Sequence, residues 1–441
     1  MWPFATVRNK CAMPVAGMPN VRRLCNDLTE IGVQRICVVV GANSGSIRHA
    51  LLGLDPEPIV VRQAEGAGTA GAALAALHAL GDEPTLALPG DLVTPAEVLQ
   101  DFVHRWQASG AEGALLSDTM PPGEGGDWYA VSGAGGLRPT ITGHEFGAER
   151  RWCEAAIVSP SLKPALEANP GRLMQVPVGG MPPMEPDLAQ SLNDWNVDKV
   201  VIEAADFVVH MDKPWHVIEA NRRMAFYLTG RLEADRIHPT ARIDDGAEID
   251  GHVSLGPNSM IGKRAVISGN IIVGAETRIT NGPIVYGGNV IGDRTQVRDY
   301  CLVDRGAVIG SDCIVGHGAE IDGVMFDRSY LWHYCEISGL VGQSVDIGAA
   351  TVCGTLRFDD QNAEHRIRGR RETPRIEANA TYYGDHSRTG VNVITMPGAK
   401  IGAYSCVGAG IVVYEDVPDR TLMLLKQETV QRPWGPERYG W

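Results

Sequence analysis

From Ile237 onward the chain places an aliphatic side chain at every sixth position for fifteen consecutive stops: Ile237, Ile243, Ile249, Leu255, Ile261, Ile267, Val273, Ile279, Val285, Ile291, Val297, Val303, Ile309, Val315 and Ile321. A step of six matches neither the 3.6-residue turn of a helix nor the two-residue alternation of a strand. It describes a solenoid whose short flat faces each send one residue inward per hexad, the hexapeptide pattern of a parallel β-helix. Gly follows many of the stops (Gly256, Gly262, Gly274, Gly292, Gly310, Gly316), where a corner needs positive φ or leaves no room for a Cβ. Small residues such as Ala241, Ala247, Ala265 and Ala307 stand two places before others, where they can point into a narrow prism.

The 441 residues leave room for two or three domains. A formal net charge of -14 and a pI near 5.3 argue against nucleic acid or anionic membrane as the main partner. Phosphorylated ligands stay open, because local Lys and Arg clusters act against an acidic background. The nine Cys are scattered and without CxxC spacing, so neither a disulfide framework nor a zinc site is indicated. With no signal peptide and no apolar run of membrane length, a cytoplasmic protein is expected.

Residues 1–230 read differently. Strand-like runs at 35–41 (RICVVVG), 58–62, 85–90 (TLALPG) and 114–117 alternate with helical stretches at 20–31, 68–80 and 95–106. This alternation predicts an α/β domain with a mainly parallel sheet, whose ligands sit at the carboxyl ends of the strands. Three such places stand out: RNKCAMPVAGMPNV with Lys10, RQAEGAGTAGAALAA with Gln63, Gly68 and Thr69, and LALPGD with Gly90 and Asp91.

With KPWHVIEAN at 213–221, these motifs resemble the sugar-1-phosphate nucleotidyltransferases across most of residues 1–225. Together with the hexads, they resemble the bifunctional sugar-1-phosphate nucleotidyltransferase/acetyltransferases. The resemblance implies a Rossmann-like α/β nucleotidyltransferase domain at 1–230, a left-handed β-helix at 231–415 with about three hexads per coil and an inserted basic loop near 357–380, and a tail at 416–441. It also implies that Lys10 contacts phosphate, that Gln63, Gly68, Thr69 and Gly90 line a nucleotide and sugar pocket, and that Asp91 and Asp212 hold Mg2+. The substrates would be a nucleoside triphosphate and a sugar 1-phosphate. Two departures mark this half. The sequence opens after the strand and LAAGxGxR loop of that family, and HMDKPW at 210–215 puts His210 where the family has its second metal carboxylate and Asp212 at its glycine. Imidazole is a poor magnesium ligand.

Past Ile321 the hexad register is expected to break at Asp327, and DRSYLWHYCEISGLVGQSVDIGAATVCGTL resembles the acetyltransfer segment of the same family. His333 stands at its general base, which takes a proton from an amino sugar as the nitrogen attacks acetyl-CoA. Glu336, Asp346 and Thr355 replace a Tyr and two Asn of that family at acceptor-holding positions, which implies a changed acceptor. The loop RFDDQNAEHRIRGRRE offers Arg366, Arg368, Arg370 and Arg371 to phosphate or to solvent. Ile401, Val407 and Val413 then restore the six-residue step, and Ala349, Arg388 and Ser405 are the candidates for an acetyl-CoA groove. Family resemblance implies a homotrimer. Two further readings stand beside the bifunctional one: an acyltransferase with a degenerate α/β half, and a non-catalytic sugar-nucleotide-binding regulatory subunit.

Overall fold

In the computed structural model of the chain, residues 1–120, 128–133, 135–143, 147–173, 184–367 and 370–439 are described. The first half is a layered α/β unit. Helices Asn20–Glu30, Gly68–Leu80 and Ala96–Ser109 and strands Cys37–Val40, Ile59–Arg62, Thr85–Ala87 and Gly113–Thr119 fall where the hydrophobic pattern places them. The sheet is mixed rather than mainly parallel. Lys199–Glu203 runs parallel to Gly113–Thr119, but Arg150–Val158 enters between Gly113–Thr119 on one side and both Thr85–Ala87 and Tyr129–Ser132 on the other, antiparallel to all three.

This sheet is split. Cys37–Val40 pairs with Ile59–Arg62, and Thr85–Ala87 pairs with Arg150–Val158. Among the described residues, Cys37–Val40 and Thr85–Ala87 each have an edge with no strand on it, and most of their side chains are only half-buried. Apolar runs of this kind ordinarily have neighbours on both edges.

The second half is a parallel β-helix of three faces. Ile243 pairs with Ile261, and Ile249 with Ile267, so one coil takes eighteen residues, three hexads. The face that starts at Ile243 stacks ten strands, ending at Leu422–Met423. Stops from Leu255 to Ile321 are buried in one continuous core, whereas Ile237, at the open end, is 43% exposed. The glycines after the stops are explained by space. None of the six has positive φ; a Cβ on Gly256 would lie 2.7 Å from the Ala275 nitrogen, and on Gly292 2.7 Å from the Gly310 carbonyl carbon. Positive φ belongs instead to the residue three before a stop, such as Glu276, Arg294, Asp312 and Tyr334.

The small residues two before each stop do face the prism: Ala265, Thr277, Thr295, Cys301, Ala307, Cys313, Ala319, Ser329 and Cys335 are all buried. Their polar atoms bond the neighbouring coil. Thr277 Oγ1 donates to the Gly292 carbonyl at 2.6 Å and accepts from the Thr295 N–H at 3.0 Å, while Cys301 Sγ reaches the Gly316 carbonyl at 2.7 Å. This accounts for much of the cysteine usage, and all nine thiols are unpaired.

The register changes before Asp327. Strand Glu320–Met325 carries two inward residues, Ile321 and Met325, only four apart, and Glu336–Val341 repeats this with Ile337 and Val341. Gly323 (φ 130°) and Gly339 (φ 151°) let the strand turn without corner residues, which shortens the coil to sixteen residues, as in Val315 on Leu331 and Leu331 on Ile347. Ile347 then pairs with Thr389, 42 positions on, and the intervening insertion includes a hairpin of His365–Ile367 and Arg370–Glu372. Arg368 lies outside the described residues.

The halves share a core. On the face that starts at Ile237, the outward residues Val290, Val308, Val324, Leu340 and Tyr382 are buried under helix Pro214–Gly230 and under Phe4, Met13 and Val15. Arg8 seals the seam, its guanidinium 2.6 Å from Asp385 and 3.0 Å from Gln343 Oε1.

Candidate functional site

Lys10, Asp91 and Asp212 converge from three distant parts of the sequence. Lys10 starts a short 3-10 turn capped by the Asn9 side chain, Asp91 precedes strand Leu92–Val93, and Asp212 follows strand Val209–His210, which pairs antiparallel with Leu92–Val93. That pairing brings the two carboxylates side by side, and the Lys10 ammonium lies between them, 2.5 Å from Asp91 and 2.6 Å from Asp212. Burial opposes the charge on Lys10, but Asp91 and Asp212 outweigh it and hold the amine protonated. Burial also works against ionisation of Asp212, and Lys10 overcomes it, pulling that carboxyl below its usual range. Asp91, fully enclosed, is raised by burial and only partly relieved by Lys10.

His210 is buried and points elsewhere, its Nδ1 3.9 Å from Glu154. Burial, with Arg151 close by, lowers its pKa to about 3; burial lowers that of His216 to about 3 as well, so both rings are neutral. Glu154 sits at φ 54° in a bulge of Arg150–Val158, and burial followed by the charge of Asp91 pushes its carboxyl up to about 8. Around these groups several buried polar atoms have no hydrogen-bond partner among the described residues: Trp128 Nε1, His210 Nε2, His216 Nδ1, and Nε and Nη1 of Arg151, whose guanidinium lies 4.5 Å from the Trp128 ring. Unpaired buried groups are costly, so such a concentration marks a place completed by a ligand or by water.

The other candidates of this half are dispersed. Gln63 is half-buried, and its Oε1 has no hydrogen-bond partner among the described residues. Gly68 (φ 60°) abuts the Pro186 carbonyl, where no Cβ fits, and Thr69 Oγ1 donates to Asp187 at 3.2 Å and accepts from the Leu188 N–H at 2.9 Å. These contacts tie the start of the Gly68–Leu80 helix to the segment 186–188. Gly90 lies against Cys11, whose Sγ would be 3.1 Å from an added Cβ.

On the solenoid, His333 is exposed at a coil corner, 6.4 Å from the His317 ring one coil earlier, with Ala349 at the same place one coil later. Among the described residues its imidazole has no hydrogen-bond partner, whereas His317 Nε2 lies 3.1 Å from the Tyr334 hydroxyl. Next to this corner Asp346 accepts from Trp332 Nε1 at 2.7 Å and stacks in register on Arg388. Glu336 faces Glu320 on the adjacent coil, and exposed Thr355 opens the insertion. Ser405 is a correction: it is 1% exposed, and its hydroxyl donates inward to the Pro418 carbonyl at 2.6 Å, so its side chain cannot line an external groove. Six-residue counting missed His317, because only the sixteen-residue coil aligns it with His333. Trp128 and Glu154 carry no motif, and only the fold brings them to the cleft; His216 stands within KPWHVIEAN but was not singled out there.

A divalent ion at the carboxylates would be held by Asp91 and Asp212, with waters and phosphate oxygens completing its shell, since no cluster of three or more such ligands exists among the described residues.

Residues 5–175 match the family model described as MobA-like NTP transferase domain, and residues 233–326 that of the GMPPB C-terminal domain. An NTP-transferase-type domain and a GMPPB-type domain thus follow one another in this chain. Among curated proteins, the chain is similar to the bifunctional sugar-1-phosphate nucleotidylyltransferase/acetyltransferase of Sulfurisphaera tokodaii, 32% identical over 105 residues, which cover 23% of this chain and 26% of that protein. It is also similar to the bifunctional protein GlmU of Methanococcus maripaludis, 30% identical over 118 residues, covering 26% and 28%. The chain matches little more than a quarter of the length of these relatives. A solved UDP-glucose pyrophosphorylase from Acinetobacter baumanii is 14% identical, with 51% of this chain and 89% of that chain covered at a TM-score of 0.43; strand order, not that overlap, carries the fold.

Proposed function

We propose that the chain is a two-site sugar-phosphate transferase, with nucleotidyl transfer in the α/β half and acetyl transfer at the solenoid corner. The observation that carries the first is the convergence of Lys10, Asp91 and Asp212 beside a set of unpaired buried polar atoms. In that reaction an oxygen of a sugar 1-phosphate attacks the α-phosphorus of a nucleoside triphosphate, the bond to the β-phosphate breaks, and pyrophosphate leaves. Two carboxylates against one ammonium leave the cleft with a net negative charge, so a triphosphate enters only with a compensating cation. Asp91 and Asp212 would hold a Mg2+ ion that would supply that charge, and Lys10, freed from the carboxylates, would then be available to phosphate oxygens. His210, neutral and buried, takes no part in holding the metal.

At the corner, His333 accepts a proton from the acceptor ammonium, the freed nitrogen attacks the thioester carbonyl of acetyl-CoA, and the carbon–sulfur bond breaks to release the coenzyme A thiol. Its exposed imidazole, and the Arg388 and Asp346 side chains beside it, suit a phosphorylated amino sugar and coenzyme A. A homotrimer is supported by the third face of the prism, whose outward Ile284, Ile394 and Val412 remain about 40% exposed.

The split sheet and the placement of His210 favour a second reading, in which the α/β half binds without catalysing. The test is product release by the full chain from hexosamine 1-phosphates, acetyl-CoA and a panel of nucleoside triphosphates with Mg2+. Both pyrophosphate and free thiol support the proposal; thiol alone reduces the chain to an acyltransferase; neither product leaves a binding subunit. DNA upstream of Met1 that encodes an in-frame LAAGxGxR would supply a strand for the two open edges.

A further inference from the structure

Neither Lys10 nor Asp212 lies in a strand of the main sheet; one sits in a 3-10 turn and the other in the bend before helix Pro214–Gly230. Both are tied to the same part of the solenoid. Two residues before Lys10, Arg8 pairs with Asp385 at 2.6 Å and donates to Gln343 at 3.0 Å, and Asp385 also accepts from the Gln343 N–H at 2.6 Å. One residue after Asp212, Lys213 pairs with Glu372 of the insertion at 2.8 Å, with both side chains largely buried. The insertion grips this helix at two more points. The His365 ring lies 4.9 Å from that of Trp215, and Glu377 pairs with Arg222 at 2.8 Å. His365 is itself fixed from behind, its Nε2 2.8 Å from the Ala378 carbonyl and its Nδ1 2.8 Å from the Lys400 ammonium.

We infer that the solenoid positions the cleft of the α/β half: Glu372 of the insertion through Lys213, and Asp385 with Gln343 of the flanking coils through Arg8, hold Lys10 and Asp212 at bridging distance across Asp91. The basic hairpin thus has a task apart from phosphate binding, since its acidic Glu372 and its buried His365 face the helix that Asp212 precedes. The inference rests on the proposed nucleotidyl site for its catalytic meaning and on contacts alone for the positioning itself. Glu372 is accordingly a positioning residue, with no contact to any reacting group.

The test reads the cleft without requiring catalysis. Cys11 adjoins Lys10 and packs on Gly90 beside Asp91, so loosening the lysine–carboxylate bridge bares its thiol. In the full-length chain, Cys11 alkylation by iodoacetamide is followed by peptide mass mapping, with buried Cys153 and Cys313 as reporters of general unfolding. Glu372→Gln is expected to speed Cys11 modification roughly tenfold with Cys153 and Cys313 still protected, and Glu372→Asp to restore most of the protection. An unchanged Cys11 rate in Glu372→Gln, a parallel rise at Cys153 and Cys313, or no recovery in Glu372→Asp overturns the inference. Pyrophosphate release measured in parallel separates the two ideas: its absence from the parent chain defeats the nucleotidyl reading, while Cys11 protection still decides the positioning one.

Discussion

Four single side chains, His333, His210, His216 and Glu154, have signatures that activity or a pH series reads. Removing the imidazole in His333→Ala should lower thiol release from acetyl-CoA by about 10²–10⁴-fold, the usual contribution of a general base, with pyrophosphate release unaltered. His210 and His216 are held neutral by burial, with folded values near 3 against about 6.5 in the unfolded chain. The unfolded state therefore binds more protons between those values, and these residues make stability rise with pH from about 3 to 6.5. Glu154 acts in the opposite sense. Its folded pKa near 8 means that the native state binds the extra proton, so its contribution falls as pH climbs from the ordinary carboxyl range to about 8. Urea midpoints of Glu154→Gln measured against the parent should accordingly show a gain that grows over that window and is flat above it; a pH-independent difference would contradict the assignment.

At the scale of elements, the hexads were readable because every stop from Ile237 to Ile321 is an aliphatic residue at a fixed step, and the helices of the α/β half because their apolar spacing is regular. The glycine reading was half right: space, not φ, demands Gly after a stop. Gly292→Ala should cost about 1–3 kcal/mol in chemical denaturation, since backbone of the next coil occupies the place of the new methyl. Glu276→Gly, at a position with φ 58°, should be neutral or stabilising, because the left-handed region costs an L residue about 1 kcal/mol. The break was placed at Asp327, whereas the coils shorten at Gly323 and Gly339; a four-residue step is invisible to a search for sixes. Ser405 was misplaced because inward small residues and outward groove residues are neighbours on one corner, separated only by the direction of a Cβ.

For the whole molecule, the seam between the halves was written in the sequence but unread. In six successive coils, from Val273 to Tyr383, the residue just before the inward position of this face is apolar (Ile272, Val290, Val308, Val324, Leu340, Tyr382), and that column is the one covered by helix Pro214–Gly230. Phe326 lies in this seam, edge-on to Phe4 and under Arg8. Phe326→Ala should lose about 3–5 kcal/mol, and calorimetry of the parent should show one transition rather than one for each half. The site of the α/β half was only partly legible, because Lys10, Asp91 and Asp212 belong to motifs, while Trp128 and Glu154 reach the cleft through a loop and a bulge that no local pattern connects.

Two sites in one chain is the central claim, and crossed loss of function tests it most directly. With a hexosamine 1-phosphate, acetyl-CoA, Mg2+ and a nucleoside triphosphate supplied together, the full chain should release both thiol and pyrophosphate. Asp91→Asn should abolish pyrophosphate alone and His333→Ala thiol alone. Loss of both products in either variant, or of neither in both, would contradict two independent sites.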